Sequence, residues 1–369
     1  MKKNTFLWIA ILLSLAVSSC EESLIKEEFE NTPVDNYNAF WLEFDRFYGA
    51  FEAKNINWDS LKTVYSGNLT DSSTDMELFT AMSGLLNELN DGHADLLAPG
   101  VGFFRSWNRR NKSFFADNKS TDNSGIVMMQ NIIRSNYLKN KYKAGDYSGW
   151  KFFYGTITYE THRVGYICIP TFGNDDYPND FIQQAVDSFN TLDAVIIDLR
   201  FNGGGKTEAF VTSLNSFSSE RKLYMKSKFR NGSGQSDFTQ LDDHYTNPHP
   251  DCLKNKPVVI LMNSFSASSS DHFILGMKSQ SNVITVGDTT CGAFSSVLER
   301  ILPNGWKFRL GAQVIYGPDG KLLTDANGNY LEGVGIAPDI YIQDQFSAIR
   351  KGKDLPLEVA LRNLEERIH

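Results

Sequence analysis

The feature that most constrains the fold is a series of short, wholly apolar segments set between amphipathic ones, starting at about residue 151. Residues 164–169, 194–197, 257–262 and 283–286 are apolar runs of buried-strand length. Residues 180–192 place Phe181, Ala185, Val186 and Phe189 on one helical face, and residues 268–277 and 355–368 read as further helices. Another helix follows the break at Asn202-Gly203-Gly204-Gly205 and runs to about Phe217. A strand covered on both faces has no polar side, so it is apolar throughout, and helical crossovers make such strands parallel neighbours. The expected class is therefore α/β, built from strand–helix units over residues 151–369.

The residues before this core follow a different period. Tyr37, Trp41, Phe44, Tyr48 and Phe51 recur at helical spacing, a stripe that suits a core-facing helix. Thr74 followed three residues later by Glu77 is a capping-box pattern, which opens a helix through Phe79, Met82, Leu85, Leu86 and Leu89. Residues 34–97 are expected to form a small helical domain, containing Asn90-Asp91-Gly92-His93 near its end. Residues 98–150 read as an irregular connecting segment, with a strand piece at 125–129.

Residues 1–19 combine Lys2 and Lys3 with a short apolar stretch and small residues, the pattern of a secretory signal. Val17-Ser18-Ser19-Cys20 resembles a bacterial lipobox, which implies cleavage before Cys20, lipidation of its thiol, and anchoring at the cell envelope. The competing reading is an ordinary signal in which Cys20 is incidental. Residues 20–33 read as a polar tether. The formal charge of −8 is no nucleic-acid footprint, and the basic run from Arg105 to Lys112 suits a solvated loop. Of the four cysteines, Cys168 lies in an apolar run and is expected to be buried, and Cys252 and Cys291 could pair in an oxidising compartment. No paired Cys-x-x-Cys or His-x-x-x-His spacing suggests a metal site, and no cofactor is implied.

Two stretches could carry chemistry. Ser264-Phe265-Ser266-Ala267-Ser268-Ser269-Ser270-Asp271 lies between an apolar strand and a helix, where a serine meets the free N–H groups of a helix N-terminus. Taken alone, such serines also suit simple helix capping. Asp198-Leu199-Arg200-Phe201-Asn202 leads into three glycines, which let backbone N–H groups line a cavity or merely form a flexible turn.

Read in order, these stretches precede Val286-Gly287-Asp288-Thr289-Thr290, Leu302-Pro303-Asn304-Gly305, Tyr316-Gly317-Pro318-Asp319-Gly320 and Gly333-Val334-Gly335-Ile336-Ala337-Pro338-Asp339. The succession resembles the serine peptidase family of C-terminal-processing proteases and the tricorn core, over residues 159–339 and the helical piece 37–93. The resemblance implies a spiral crotonase-like or ClpP-like α/β core with Ser268 as nucleophile. It implies an oxyanion hole from the N–H of Ser269 and one from Gly203 or Gly204. The processing branch takes a lysine base from the element that reads Gly287-Asp288-Thr289-Thr290-Cys291-Gly292-Ala293 here, and Ala293 occupies the lysine position. The tricorn-like branch takes a histidine after the amino-terminal helices, which matches His93, and an acid before the Gly-x-x-Pro-Asp element, which matches Glu332. His93 also suits a helix C-terminal cap. His272, one turn after Ser268, is the rival base; His162, His244, His249 and His369 have less favourable contexts. Interval 94–150 is too short for the PDZ module that many processing proteases carry. A polypeptide or peptide is the implied substrate. A non-catalytic ligand-binding lipoprotein on the same scaffold, and an esterase, are the competing functions.

Overall fold

The computed structural model describes residues 29–107, 114–117, 123–173, 177–232, 234, 236–248, 253 and 256–368. The signal and lipidation readings at residues 1–19 and Cys20 fall outside them, as do Cys252, His249 and His369. Among the described residues, no helix is long and apolar enough to cross a membrane. The chain divides into two compact units, each drawn from three separate stretches.

The first unit comprises the described residues up to Trp107 together with Phe229–Thr239 and Ser296–Gln313. It starts with helices α1 (Pro33–Phe47), α2 (Trp58–Ser66) and α3 (Asp75–Asn87). Thr74 caps α3 as the sequence suggests: its hydroxyl takes the Glu77 N–H, and the Glu77 carboxylate takes the Thr74 N–H at 2.7 Å. The aromatic stripe of α1 is a core stripe, for Tyr37, Phe44 and Tyr48 are buried. Its partner was not foreseen. Strands β1 (Asp95–Ala98) and β2 (Gly102–Arg105) join β11 (Val297–Ile301) and β12 (Lys307–Gly311) in an antiparallel sheet of order β11-β12-β1-β2. The Phe308 ring of β12 lies 5.0 Å from that of Phe40 and 5.7 Å from that of Phe44.

The second unit comprises Asn108–Lys228, Gln240–Ser295 and Val314–His369. Its seven-stranded sheet has the order β14-β10-β9-β6-β5-β4-β3. Strands β5 (His162–Cys168), β6 (Ala194–Asp198), β9 (Val258–Met262), β10 (Val283–Gly287) and β14 (Ile340–Tyr341) are parallel, and β3 (Tyr142–Tyr147) and β4 (Trp150–Tyr159) add an antiparallel edge. The connecting helices are α5 (Asn179–Phe189), α6 (Thr207–Phe217) and α7 (Ser269–Lys278). The chain ends with α8 (Phe346–Ile349) and α9 (Leu355–Arg367). The continuous apolar runs are explained by two covered faces. Ala194, Ile196, Val259 and Leu261 share a cluster with Leu357, Leu361 and Leu364 of α9, while the alternate residues Val195, Ile197 and Ile260 are fully buried on the opposite face. Burying each of these valine, leucine and isoleucine side chains contributes roughly 1.5–3 kcal/mol. A smaller sheet contains β7 (Leu223–Phe229), β8 (Asp242–Tyr245) and β13 (Gln313–Tyr316) in the order β13-β7-β8.

Residues 98–150 are more regular than their composition suggests. Residues 125–129, expected as a strand, lie in α4 (Asn123–Ile132), which continues as a π-helical turn over Ile133–Tyr137. Gly125, Met129 and Ile133 form a buried stripe with a period of four. Periodicity cannot separate a short apolar run in a helix from one in a strand, and this stripe of one small and two large residues is the cue that decides it.

Candidate active site

In the second unit the chain leaves β9 at Met262 and enters α7 at Ser269, with Ser268 at the junction. Ser268 has φ 58° and ψ −119°. This region is almost closed to residues with a side chain and costs about 1–3 kcal/mol. The neighbouring residues hold the turn in place. The Ser266 hydroxyl donates to the Leu199 carbonyl at 2.8 Å, that of Ser270 to Asn202 at 2.9 Å, and that of Ser269 to Gly205 at 2.7 Å. The Ala267 N–H adds a bond to the Asn202 carbonyl at 3.1 Å. Most of the serine-rich stretch therefore stitches the junction to the glycine loop. Ser269 is the first residue of α7, so its N–H has no acceptor within the helix.

The glycine loop is shaped by Asn202. Its side chain donates to the Ile169 carbonyl at 3.0 Å and accepts the Gly204 N–H at 2.8 Å. Gly204 has φ +98°, and a Cβ there would lie 2.6 Å from both the Ala267 carbonyl oxygen and the Ser268 Cβ. At Gly203 a Cβ would meet nothing within 4 Å. The loop thus packs against the serine through Gly204 and offers an open position at Gly203.

Two buried carboxylates fix the facing segment. Asp271 accepts the N–H of Ser268 at 2.9 Å, of Gly292 at 3.2 Å and of Ala293 at 3.0 Å. Glu332, 2 % exposed, accepts the next two N–H groups, Phe294 at 2.9 Å and Ser295 at 2.8 Å. Four successive amides of the segment expected to carry a lysine in the processing branch therefore end on two acids. Burial pushes the Asp271 carboxyl up to about 6, against the opposing pull of its hydrogen bonds. In the sequence, Asp271 is visible only as the residue that ends the serine-rich stretch. An acid three residues after a serine at a helix start, the capping-box spacing, is the signal that foretells its bond to the Ser268 N–H.

Beneath both loops lies a buried ion cluster. Arg200 pairs with Asp198 at 2.6 Å, Asp344 at 2.8 Å and Asp354 at 2.8 Å. The Tyr166 hydroxyl donates to Asp198 at 2.7 Å, and Asn263 donates to Asp344 at 3.0 Å. Burial acts to lower the Arg200 pKa, but the three carboxylates outweigh it and hold it well above its usual value. Burial pushes Asp344 up to about 6 despite Arg200. The Asp-Leu-Arg part of the motif is a foundation: Arg200 fixes the start of the glycine loop, and Asp344 links it through Asn263 to the start of the serine turn.

The described histidines differ in setting. His93 is in the first unit, between α3 and β1, with its main-chain N–H donated to the Asp91 carboxylate at 2.8 Å. Asp91 is fully buried and accepts the Tyr48 hydroxyl at 2.8 Å, so the aromatic stripe of α1 secures the turn that carries His93. His272, in the second unit, has its ring 5.5 Å from that of Phe210 and 5.6 Å from that of Phe294. Its Nε2 lies 2.7 Å from the Phe294 carbonyl, which can only accept, so Nε2 bears the proton. His244 Nε2 meets the Ser227 hydroxyl at 2.8 Å, and His162 lies 4.0 Å from Asp193. The second unit brings together Ser268, Gly203, Gly204, Ser269 and the segment held by Glu332; His93 belongs to the first.

Comparison with known proteins gives this geometry a relative. Carboxy-terminal processing protease CtpB of Bacillus subtilis is 28% identical over 205 residues, 55% of this chain and 39% of that protein. The chain therefore spans well under half the length of this curated relative. A solved structure of a candidate peptidase from Parabacteroides merdae is 26% identical, covering 91% of this chain and 97% of that one, with a TM-score of 0.74. Mature CPAF, 13% identical with a TM-score of 0.62, shares the fold. The model of peptidase family S41 matches residues 163–342, which span the glycine loop, Ser268 and Glu332, so this part of the chain is similar to the serine peptidases of that family.

Proposed function

We propose that the protein is a serine peptidase that cleaves polypeptides through an acyl-enzyme, with Ser268 as nucleophile. The observation that carries this reading is the strained Ser268 backbone at the head of α7, with Gly204 packed against it. Strain of this kind persists only where the surroundings enforce it, and it clusters at reactive sites. Ser268 Oγ attacks the peptide carbonyl carbon while His93 takes its proton. The developing oxyanion is received by the N–H groups of Ser269 and Gly203, with the Gly204 N–H retained by Asn202. The amine leaves with the proton from His93, and water then releases the acyl group by the same steps in reverse. Glu332 is the acid of the site, acting in support of His93. With alanine at position 293, the base is a histidine and not a lysine, as in the tricorn-like branch. Lipidation at Cys20 would hold the domain at the cell envelope.

The test is fluorophosphonate labelling of the folded protein, read by intact mass and peptide mapping. One adduct is expected, on Ser268, absent from Ser268→Ala and slowed by about three orders of magnitude or more in His93→Ala. A folded wild-type chain that takes no label refutes catalysis and favours a binding protein on this scaffold. A label that survives His93→Ala refutes the base assignment and directs the next substitution to His272. Turnover of small esters without peptides would place the chain among esterases.

A further inference from the structure

The first unit contains a cavity of about 510 Å³, between residues 45–59 on one side and Arg230, Ser236 and Phe238 on the other. That volume is typical of small-ligand pockets. Phe51, Trp58 and Phe238 supply aromatic walls. Trp58 is 4% exposed and firmly held: its ring lies 5.0 Å from that of Phe51 and 5.5 Å from that of Phe44. Its Nε1 donates to the Trp41 carbonyl at 3.1 Å, and Trp41 returns the bond at 3.3 Å. The cavity is therefore preformed on that side.

Its charge is one-sided. Asp45, Glu52 and Asp59 line it, against the single guanidinium of Arg230. Arg230 is 6% exposed, donates to the Asp45 main-chain carbonyl at 2.8 Å and lies 5.6 Å from the Phe238 ring centroid, so it braces the wall. Burial and then the neighbouring Asp59 raise the Asp45 pKa, while Arg230, Lys62 and Arg46 pull the other way. Lys62 is turned on to the Trp41 ring, 4.1 Å from its centroid. An anion would meet three carboxylates here. A bare metal ion would find donors spread around a wide, partly aromatic space. A cation on a long apolar stem satisfies both features, because its charge meets carboxylates and ring faces while its methylenes cover the walls.

We propose that this cavity binds a basic side chain, lysine or arginine, of a polypeptide. Naming a polypeptide as the carrier rests on the peptidase reading; the preference for a cation on an apolar stem rests on the cavity alone. In the bound state the ammonium or guanidinium lies among Asp45, Glu52 and Asp59, and the stem lies along Phe51, Trp58 and Phe238.

The test uses the full chain carrying Ser268→Ala, so that nothing is cleaved. A fluorescein-labelled Gly-Ser-Lys-Ser-Gly peptide, amidated at its C-terminus, is titrated by anisotropy beside the same peptide with norleucine in place of lysine. The lysine peptide should bind about tenfold or more tightly than its norleucine twin, and Glu52→Gln with Asp59→Asn should remove most of that preference. Both residues are exposed, so the fold should survive their replacement. Equal binding of the two peptides, no binding of either, or an unchanged preference in the double variant overturns the proposal. Fluorophosphonate labelling in the chain with Ser268 intact keeps the two readings apart. Lysine-dependent binding without a Ser268 adduct sinks the peptidase and leaves the cavity, and a normal adduct without lysine-dependent binding does the reverse.

Discussion

Gly204→Ala should disable the serine while leaving the fold in place. The added Cβ would sit 2.6 Å from the Ala267 oxygen and from the Ser268 Cβ, and 3.0 Å from the Ser269 nitrogen. Ordinary contact begins at 3.4 Å, so the serine turn and the loop must separate by about 0.8 Å. All three contacts are with the backbone or the root of the serine itself, so no flexible side chain can yield. The φ of +98° adds strain for any residue with a Cβ, and the combined cost to stability is about 1–3 kcal/mol. A displacement approaching 1 Å between nucleophile and oxyanion donors lowers a rate by about 100-fold. The assay is the second-order rate of fluorophosphonate labelling, with urea unfolding on the same samples. Gly203→Ala is the control, because its Cβ meets nothing within 4 Å and the substitution keeps the N–H in place. Folded Gly204→Ala that labels at the wild-type rate would refute the reasoning, as would an equal loss in Gly203→Ala.

Other outcomes follow from the buried acids. Asp271 has its carboxyl raised from 3.8 to about 6, so its contribution to stability is complete below pH 3.8 and lost by about pH 6. That difference is worth about 3 kcal/mol, and Asp271→Asn removes the titration, so the urea midpoint of the variant should gain on wild type between pH 4 and 7. A midpoint difference that is constant across this range would count against it. The same variant should label more slowly, because an amide keeps one acceptor oxygen where the carboxylate offers two to the N–H groups of Ser268, Gly292 and Ala293. Arg200→Lys replaces a planar fork by a point charge among three buried acids and should cost about 3–5 kcal/mol in unfolding experiments; an unchanged stability would refute the foundation role. Tyr48→Phe removes one buried bond to Asp91 and should cost about 1 kcal/mol while slowing labelling through His93; a change in neither would show that this bond does not secure the turn.

What was legible in the sequence was local. Ala194–Asp198 and Val258–Met262 announce themselves because both faces of the strands are covered, and Thr74 with Glu77 carries its capping pattern within four residues. Ser268 stands out through the order of the motifs around it. The sheet of the first unit had no such local signal. Asp95 pairs with Arg309 across more than two hundred residues, and β11 alternates exposed Val297, Glu299 and Ile301 with half-buried residues. Arg200 was visible as part of a motif, but Asp344 and Asp354 lie 144 and 154 residues away. Residues 287–293 and the two that follow stand out in the sequence only for the lysine missing at Ala293. That four of their amides are gripped by Asp271 and Glu332 depends on a turn forty residues later, a relation set by tertiary packing.

The discontinuity of the first unit bears on how the chain reaches its folded state. Its helices come first in the chain, yet the residue that closes their aromatic core, Phe308, comes from β12, and Arg300 of β11 reaches Glu43 across 257 residues at 2.9 Å. Such distant closure makes folding slow, because chain entropy is spent before the contacts reward it. A chain growing from its N-terminus would hold α1 with Phe40 and Phe44 uncovered until most of the second unit has been made. A truncation before residue 296 should therefore expose an aromatic surface, leaving a fragment prone to aggregate rather than a smaller folded protein.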